Sequence, residues 1–398
     1  MKQLYYDPHS QEWHQSFAKD TPFFFGQNKQ LTTYVETKSS SLIHFPVLCN
    51  GSMIGPLIGI MTSASKKGKA FSGNHHIFRQ IQEALQSLGG VCVVFSYEGI
   101  RSNGITGYVY YKEKKGWLQI HAPLPHIIYN RIPSQEDEQL GANVKAIKFF
   151  QDRKIPIVNP SFFLKQDVFS SLAENNITKK YLPETSQLQN PRQCLDMLYT
   201  YGVVYIKPNR GCKGEGIKRV TIMHNDTVQV EDVKTTEQFS SIDTFLHAYP
   251  ILFNGSYLIQ QAIDSDEIDQ KRYDLRIFAH KQAKQFIISG IGVRQSITQD
   301  VTTHVPNGGK LLPFETIQDR INKNELYTLV DECGQALNKK MGFIGEFSID
   351  IGRSKEGMLY IYEINSKPMV FDEKAIQKNG INNLVQLFQE VTAFKTPS

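Results

Sequence analysis

Two carboxylates and an amide late in the sequence, Asp350, Glu363 and Asn365, have the types and the spacing to hold a divalent cation. They belong to residues 342–368, GFIGEFSIDIGRSKEGMLYIYEINSKP, which read as two strands joined by a tight turn. On a period of two, Glu346, Ser348 and Asp350 share one face of the first strand, and Phe347, Ile349 and Ile351 the other. By the same rule Leu359, Ile361, Glu363 and Asn365 share a face of the second. A turn at Glu356-Gly357 then sets Asp350 opposite Glu363 and Ser348 opposite Asn365. Directly paired residues have Cβ atoms roughly 5 Å apart, so the two acids repel unless a cation lies between them. Such oxygen donors suit Mg²⁺, which is usually held by one or two carboxylates plus substrate phosphates. The competing reading is a half-solvated hairpin with ordinary surface acids.

A second stretch has the chemistry of a phosphate site. Val203–Pro208 reads as a strand that runs into NRGCKGEG and then into another strand, Ile217 to Met223. Gly211, Gly214 and Gly216 let backbone N–H groups close on a phosphate without interference from Cβ atoms. The loop joins two strands, so it is not a Walker loop, which must open a helix. Lys207, on the strand before it, supplies a positive charge. Further on, Tyr257–Ile263 is an apolar strand ending in Gln260 and Gln261, a place for an adenine ring to lie. Arg276 and Arg294 fall on neighbouring strands; Arg276 is either a site residue or a partner of Asp274. Arg294 precedes a polar loop, Thr302 to Gly309, in which Asn307-Gly308-Gly309 offers another close approach to phosphate.

These residues need a scaffold, and the sequence outlines one. Residues 1 to about 52 are rich in aromatics and turn formers, as in a small β-rich unit without recognisable chemistry. From Pro56 the pattern changes to buried parallel strands, Leu57–Thr62 and Val91–Phe95, around a helix carrying Ile77, Ile81, Leu85 and Leu88 and stopped by Gly89. The first loop of this unit, SASKKGKAFSGN, has neither GxGxxG nor GxxxxGK[ST], so it shapes a cleft rather than holding phosphate. His75-His76 reads as a polar helix start rather than a metal pair. A hairpin turning at Lys114-Lys115-Gly116 and a strand ending in Asn130-Arg131 follow, and ligands of open α/β sheets bind beyond such strand ends. After the arginine strands, Leu326, Leu329, Val330, Cys333 and Leu337 mark one face of a long helix expected to pack under the acidic hairpin. A last helix around Leu384, Leu387, Phe388 and Val391 is expected to cover the end.

Bulk properties narrow the function classes. With 40% hydrophobic and 21% charged residues over 398 positions, the composition is that of an ordinary globular protein. At about 150 residues per domain, two or three domains are expected. The net charge of +5 is small and its basic residues are scattered, which gives no case for nucleic acid. No apolar run approaches the ~20 residues of a membrane span, and MKQLYYDPHSQEWHQ has no apolar signal core. Five cysteines without a CxxC pair argue for reduced thiols in the cytoplasm rather than disulfides or zinc.

The order of these parts resembles the ATP-grasp superfamily, and within it the YheC/YheD-like endospore coat-associated proteins of spore-forming bacilli. The resemblance rests on HIIYNRIPS, NPSFFLKQ, YLPET, YIKPNRGCKGEGI, DLRIF and YEINSKP taken as an ordered set over about residues 55 to 395. It implies an α/β fold (α+β in the ATP-grasp part) with two sheets clamping ATP. The implied units are a β-rich segment at 1–54, a precursor α/β domain at 55–160 and the ATP-grasp domain at 161–398, its lid at about 190–262. Lys165 and Lys207 would contact ATP phosphates under a lid of Gly211 to Gly216 that includes Lys213 and Gly214. Gln260, Gln261, Ala262 and Ile263 would hold the adenine, Arg276 and Asn307 would join the nucleotide site, and Asp350, Glu363 and Asn365 would coordinate Mg²⁺. Lys207 and Arg294 would be the catalytic cations, with Arg294 neutralising charge on the transferring phosphoryl group. The implied activity is a carboxylate–amine ligase working through an acyl phosphate, on a peptide or coat-polymer substrate. The alternatives are an ATP-binding structural protein of the spore surface, with spore-coat proteins as partners, and a kinase-like phosphoryl transferase. Synthesis in the cytoplasm of the mother cell and assembly on the coat are implied as well. Pro368 is followed by Met369 where many ligases have a Pro-Gly turn, and the glycine loop carries Cys212, Lys213 and Glu215. Both departures bear on the acceptor site.

Overall fold

The computed structural model describes residues 1–36, 41–65, 68–211, 215–297, 301–303 and 308–394. Four sheets carry the chain. The first is a closed barrel of six strands between Lys2 and Gly55, and closure removes the exposed edges that a short sheet would otherwise present. Its interior is aromatic: Trp13 sits 5.0 Å from Tyr6, 4.8 Å from Phe25 and 5.5 Å from Phe45, ring centre to ring centre.

The second sheet has parallel strands Leu57–Met61, Val91–Phe95, Ile127–Asn130 and Ile157–Val158 at its centre and one end, and the antiparallel hairpin Gly104–Tyr111/Gly116–Pro123 at the other. Leu57–Met61 and Val91–Phe95 are buried along their whole length, as their unbroken apolar runs require. The helix between them, His75–Leu88, is capped by the Asn74 side chain, turns Ile77, Phe78, Ile81 and Leu85 inward and ends at Gly89 with φ 84°.

The third sheet is antiparallel and includes the strand Val203–Pro208, which bears Lys207, next to the amide-ended strand Tyr257–Gln261. The fourth aligns the two arginine strands, Lys271–Gln282 and Gln285–Ser296, with the acid hairpin Glu346–Arg353/Leu359–Asn365. The long helix Lys323–Met341 packs Leu326, Leu329, Val330, Cys333 and Leu337 beneath that hairpin, against Phe347, Ile349 and Ile351. The last helix, Lys374–Thr392, does more than cover the end. Ile381, Leu384 and Phe388 are buried with Ile58, Ile60 and Tyr129 of the second sheet, so the helix is wedged between the second and fourth sheets. Its length of 19 residues contains enough apolar surface for both faces. Among the described residues Cys49, Cys92, Cys194 and Cys333 are unpaired, and no helix is long and apolar enough to cross a membrane.

Candidate active site between the two central sheets

The acid hairpin has the expected pairing at its functional end: Asp350 lies opposite Glu363 and Ser348 opposite Asn365. The route to that register differs from the simple hairpin. Beyond Asp350 the pairing shifts by one residue, with Ile351 opposite Ile361 and Arg353 opposite Leu359, and Tyr362 is the extra, bulged residue. The bulge also corrects the expectation that Leu359, Ile361, Glu363 and Asn365 share a face. Leu359 and Ile361 are buried against the long helix, while Glu363 and Asn365 line the opposite, open side. Gly352 makes the bulge possible, since a Cβ there would lie 2.1 Å from the Tyr362 ring.

The acids are not surface groups. Asp350 is 3% exposed, and it is held by Arg276 at 3.2 Å and by the Nη2 of Arg294 at 3.2 Å. Glu363 pairs with Lys165 at 3.4 Å. The expected repulsion between the two carboxylates is therefore answered by basic side chains, one set for each acid. Arg276 is the partner of Asp350 and not of Asp274, which takes Arg294 Nε at 3.0 Å and the Thr303 hydroxyl. Burial alone would lower the Arg294 pKa, but Asp274 and Asp350 outweigh it and keep the guanidinium firmly charged.

Lys207 is a part-buried cation on the neighbouring sheet. Its ammonium donates to Gln260 Oε1 and reaches the Tyr362 carbonyl, which the bulge turns towards it, at 3.5 Å. Burial lowers its pKa to about 8, with Lys165 and Arg272 adding to the fall and Glu363 and Asp350 opposing it. Gln260, 2% exposed, is itself oriented by donating its amide to Thr185 Oγ1 at 2.9 Å. Lys165 begins a helix, Lys165–Ala173, and its ammonium donates to the Gly211 carbonyl at 3.0 Å, which ties it to the start of the glycine loop. Gly211 and Gly216 have φ of 129° and 73°, values that favour glycine. Lys213, Gly214 and Asn307 lie outside the described residues.

Two cavities meet here. The smaller, about 80 Å³, is lined by Lys207, Gln260, Gln261, Ile263, Arg272 and Tyr362 among others. Ala262 is not part of its wall, and its N–H is taken by the Val203 carbonyl. The larger, about 570 Å³, is lined by Lys165, Gly211, Arg276, Asn365 and the ends of the first and last helices. Arg294 and Glu363 border both.

Sequence reasoning did not single out the base of the larger cavity. Glu346, 2% exposed, accepts from Tyr129 at 2.5 Å and from Arg131 at 3.1 Å, and His280 Nε2 lies 3.2 Å away, off the line of a hydrogen bond. Burial would raise the Glu346 pKa; the His280 and Arg131 contacts outweigh it and hold the pKa below the ordinary carboxylate value. Arg131 does line the cavity, but Asn130 is fully buried and serves the scaffold, donating to Glu138 and to the Pro160 carbonyl. Asn159 fastens the second sheet to the acid strand. Its side chain donates to the Glu346 and Ser366 carbonyls and accepts from the Gly345 and Glu346 N–H groups. The signal for Glu346 was present in the Glu346–Ser348–Asp350 alternation; nothing local marks Tyr129, His280 or Asn159 as its neighbours.

The donor set fits Mg²⁺ in one specific sense. Asp350, Glu363 and Asn365 offer oxygens from adjacent register positions, and the buried Ser348 Oγ opposite Asn365 lacks a partner. Among the described residues no group of three or more His, Cys, Asp or Glu is placed to hold a metal. Two carboxylates suit an ion that arrives with phosphates and completes its shell with them, not a standing metal centre.

The model of the YheC/D-like ATP-grasp family matches residues 154–391, more than half of the chain and all of this acid and lysine machinery. The chain belongs to the YheC/D-like ATP-grasp family. Among the relatives of this ATP-grasp protein, the endospore coat-associated protein YheD of Bacillus subtilis (strain 168) is 29% identical over 334 residues, 79% of this chain and 73% of that one. YheC of the same organism, also described as endospore coat-associated, is 22% identical over 272 residues, 65% of this chain and 75% of that one. The crystal structure of the VanG D-Ala:D-Ser ligase from Enterococcus faecalis has the same fold, with a TM-score of 0.51 at 12% identity, covering 85% of this chain and 99% of that one.

Proposed function

We propose that this ATP-grasp protein is an ATP- and Mg²⁺-dependent ligase that joins a carboxylate to an amine. The observation that carries the reading is the convergence of Lys165, Lys207, Arg294, Asp350 and Glu363 where the third and fourth sheets face each other, at the mouth of a cavity large enough for a second substrate. Asp350, Glu363 and Asn365 would hold the Mg²⁺ that comes with the nucleotide. Mg·ATP, when bound, supplies the phosphoryl group that activates a carboxylate towards an amine.

The residues of the chain do the rest. Lys207 and Lys165 place positive charge on the nucleotide side, and each is held by an internal acceptor that phosphate oxygens can replace. Gln260, Gln261 and Ile263 wall the smaller cavity as the adenine side. Arg294 and Arg276 fix the Asp350 carboxylate and turn their remaining N–H groups towards charge that develops nearby. Removing one donor of this kind typically lowers a rate by roughly 10²- to 10³-fold.

A nucleotide-binding role on the spore surface with little turnover is the second reading, favoured by acids that are already paired internally. The names of the YheD and YheC relatives support synthesis in a sporulating cell and association with the coat in either case. Calorimetric titration with Mg·ADP, followed by an ADP-release screen over amino acids, peptides and cell-wall fragments, separates the readings. Binding with amine-dependent ADP release supports the ligase. Binding without release under any pair of substrates supports the second reading, and equal nucleotide affinity in wild type and Lys207→Ala removes Lys207 from the site.

A further inference from the structure

Along the first arginine strand, Lys271–Gln282, side chains alternate. Tyr273, Leu275 and Ile277 enter the core over the long helix, and Arg272, Asp274 and Arg276 face the other way. Two of these three already have charged partners: Arg276 holds Asp350, and Asp274 takes Arg294. Arg272 has none. It is part-buried and lines the smaller cavity, where its Nη1 donates to the Tyr205 hydroxyl of the third sheet at 2.8 Å. Among the described residues no carboxylate lies within ion-pairing distance of it, and Glu267, its neighbour in the register, is exposed and does not pair with it. The Nε is buried against protein and offers nothing to a ligand. The Nη2 makes no hydrogen bond and is not fully buried, which leaves that edge of the guanidinium open to the cavity.

Lys207 lines the same cavity, and its ammonium is likewise answered by neutral groups, Gln260 Oε1 and the Tyr362 carbonyl. The acids that also line it, Asp274, Asp350 and Glu363, are held by Arg294, Arg276 and Lys165. Part-buried charges without a counter-ion are unfavourable, and two of like sign around one space repel as well. The partner that this cavity calls for is an anion. Its place on the nucleotide follows from the strand. Arg272 stands four residues from Arg276, about 13 Å along the chain, and Arg276 marks the cation site through its pairing with Asp350. Arg272 is thus placed for the phosphate next to the nucleoside, not for the terminal one that shares the Mg²⁺.

We propose that Arg272 is a nucleotide-binding residue whose guanidinium donates to the phosphate next to the nucleoside, in the cavity it shares with Lys207. The proposal rests on the nucleotide reading of the site and adds a cation that the lysine and acid set leaves out. The test is calorimetry on the full chain with adenosine, AMP and ADP, directly or in competition with Mg·ADP. Arg272→Gln should weaken AMP and ADP by the same factor, at least about ten-fold, the range of a hydrogen bond to a charged group. Adenosine should bind the variant as it binds wild type, which also shows that the variant is folded. Arg272→Lys keeps the charge without the planar fork and should restore part of the loss. An equal loss for adenosine and AMP in both variants would put Arg272 against the base or in the scaffold and overturn the proposal. Unchanged AMP affinity in Arg272→Gln would overturn it too. In both of those cases Mg·ADP binding by wild type leaves the nucleotide reading standing. If wild type binds no Mg·ADP, both fall.

Discussion

Raising the pH from 7.5 to 9 should weaken ADP binding by about eight-fold through Lys207 alone. The side chain is part-buried among Gln260, the Tyr362 carbonyl and the Tyr205 ring, and this environment brings its pKa down to about 8. Phosphate oxygens reward only the charged ammonium, so the apparent dissociation constant grows as one plus the ratio of neutral to charged lysine. For a pKa near 8 that factor is about 1.3 at pH 7.5 and about 11 at pH 9. Phosphate groups are already ionised across this window, with a second pKa near 6. The assay is calorimetry at half-unit pH steps in buffers of different ionisation enthalpy, which also reports the proton taken up on binding. Lys207→Arg keeps its charge throughout and should flatten the profile. A flat profile in wild type, or the same slope in Lys207→Arg, would refute the assignment. The shift has a consequence for stability with a definite sign. The unfolded lysine holds its proton up to about 10.5 and the folded one releases it near 8, so the unfolded state binds more protons in between. The contribution of Lys207 to stability should therefore rise with pH from about 8 to 10.5.

Other perturbations test the neighbouring parts. Glu363→Gln should abolish the gain in nucleotide affinity that Mg²⁺ confers, while the apo fold loses no more than about 1 kcal/mol with the Lys165 pair, as compared by titration with and without Mg²⁺ and by urea melts. Arg294→Lys cannot bridge Asp274 and Asp350 with a compact ammonium, and should lower stability by about 3 kcal/mol or more in urea. Asn159→Ala leaves four backbone groups without their partners and places alanine at φ 53°; a loss of roughly 3 kcal/mol or more is expected, measured in the same way.

Much of the scaffold was legible because its signals are local. The buried strands Leu57–Met61 and Val91–Phe95 are unbroken apolar runs, and Asn74 and Gly89 mark the ends of the helix between them. The pairing of Asp350 with Glu363 was legible too, although by compensation: near the turn Arg353 pairs with Leu359, one residue earlier than expected, and the bulge at Tyr362 restores the count. What the sequence could not show depends on long-range contact. Asp350 and Glu346 look alike in their strand, yet one meets Arg276 and Arg294 while the other meets Tyr129, Arg131 and His280 from elements far apart in the chain. The last helix has two apolar faces, which periodicity alone does not distinguish from a cover over one surface.

The Tyr362 bulge makes the site a matter of parity. Strand side chains alternate, so a ladder that ran on past Ile361 without the bulge would exchange the two sides of the second strand from that point on. Tyr362 would then face Asp350, Glu363 and Asn365 would turn into the apolar core, and Ile364 would take their place at the cavity, without any of those residues being altered. Conservative substitutions at Tyr362 leave the count intact and so leave the acids where they are. In this hairpin, then, removing the bulged residue itself keeps Asp350 opposite Glu363, whereas flattening the bulge with Tyr362 in place would carry the acid from the cavity to the core. The donors of the site are set by an odd number of residues as much as by their identities.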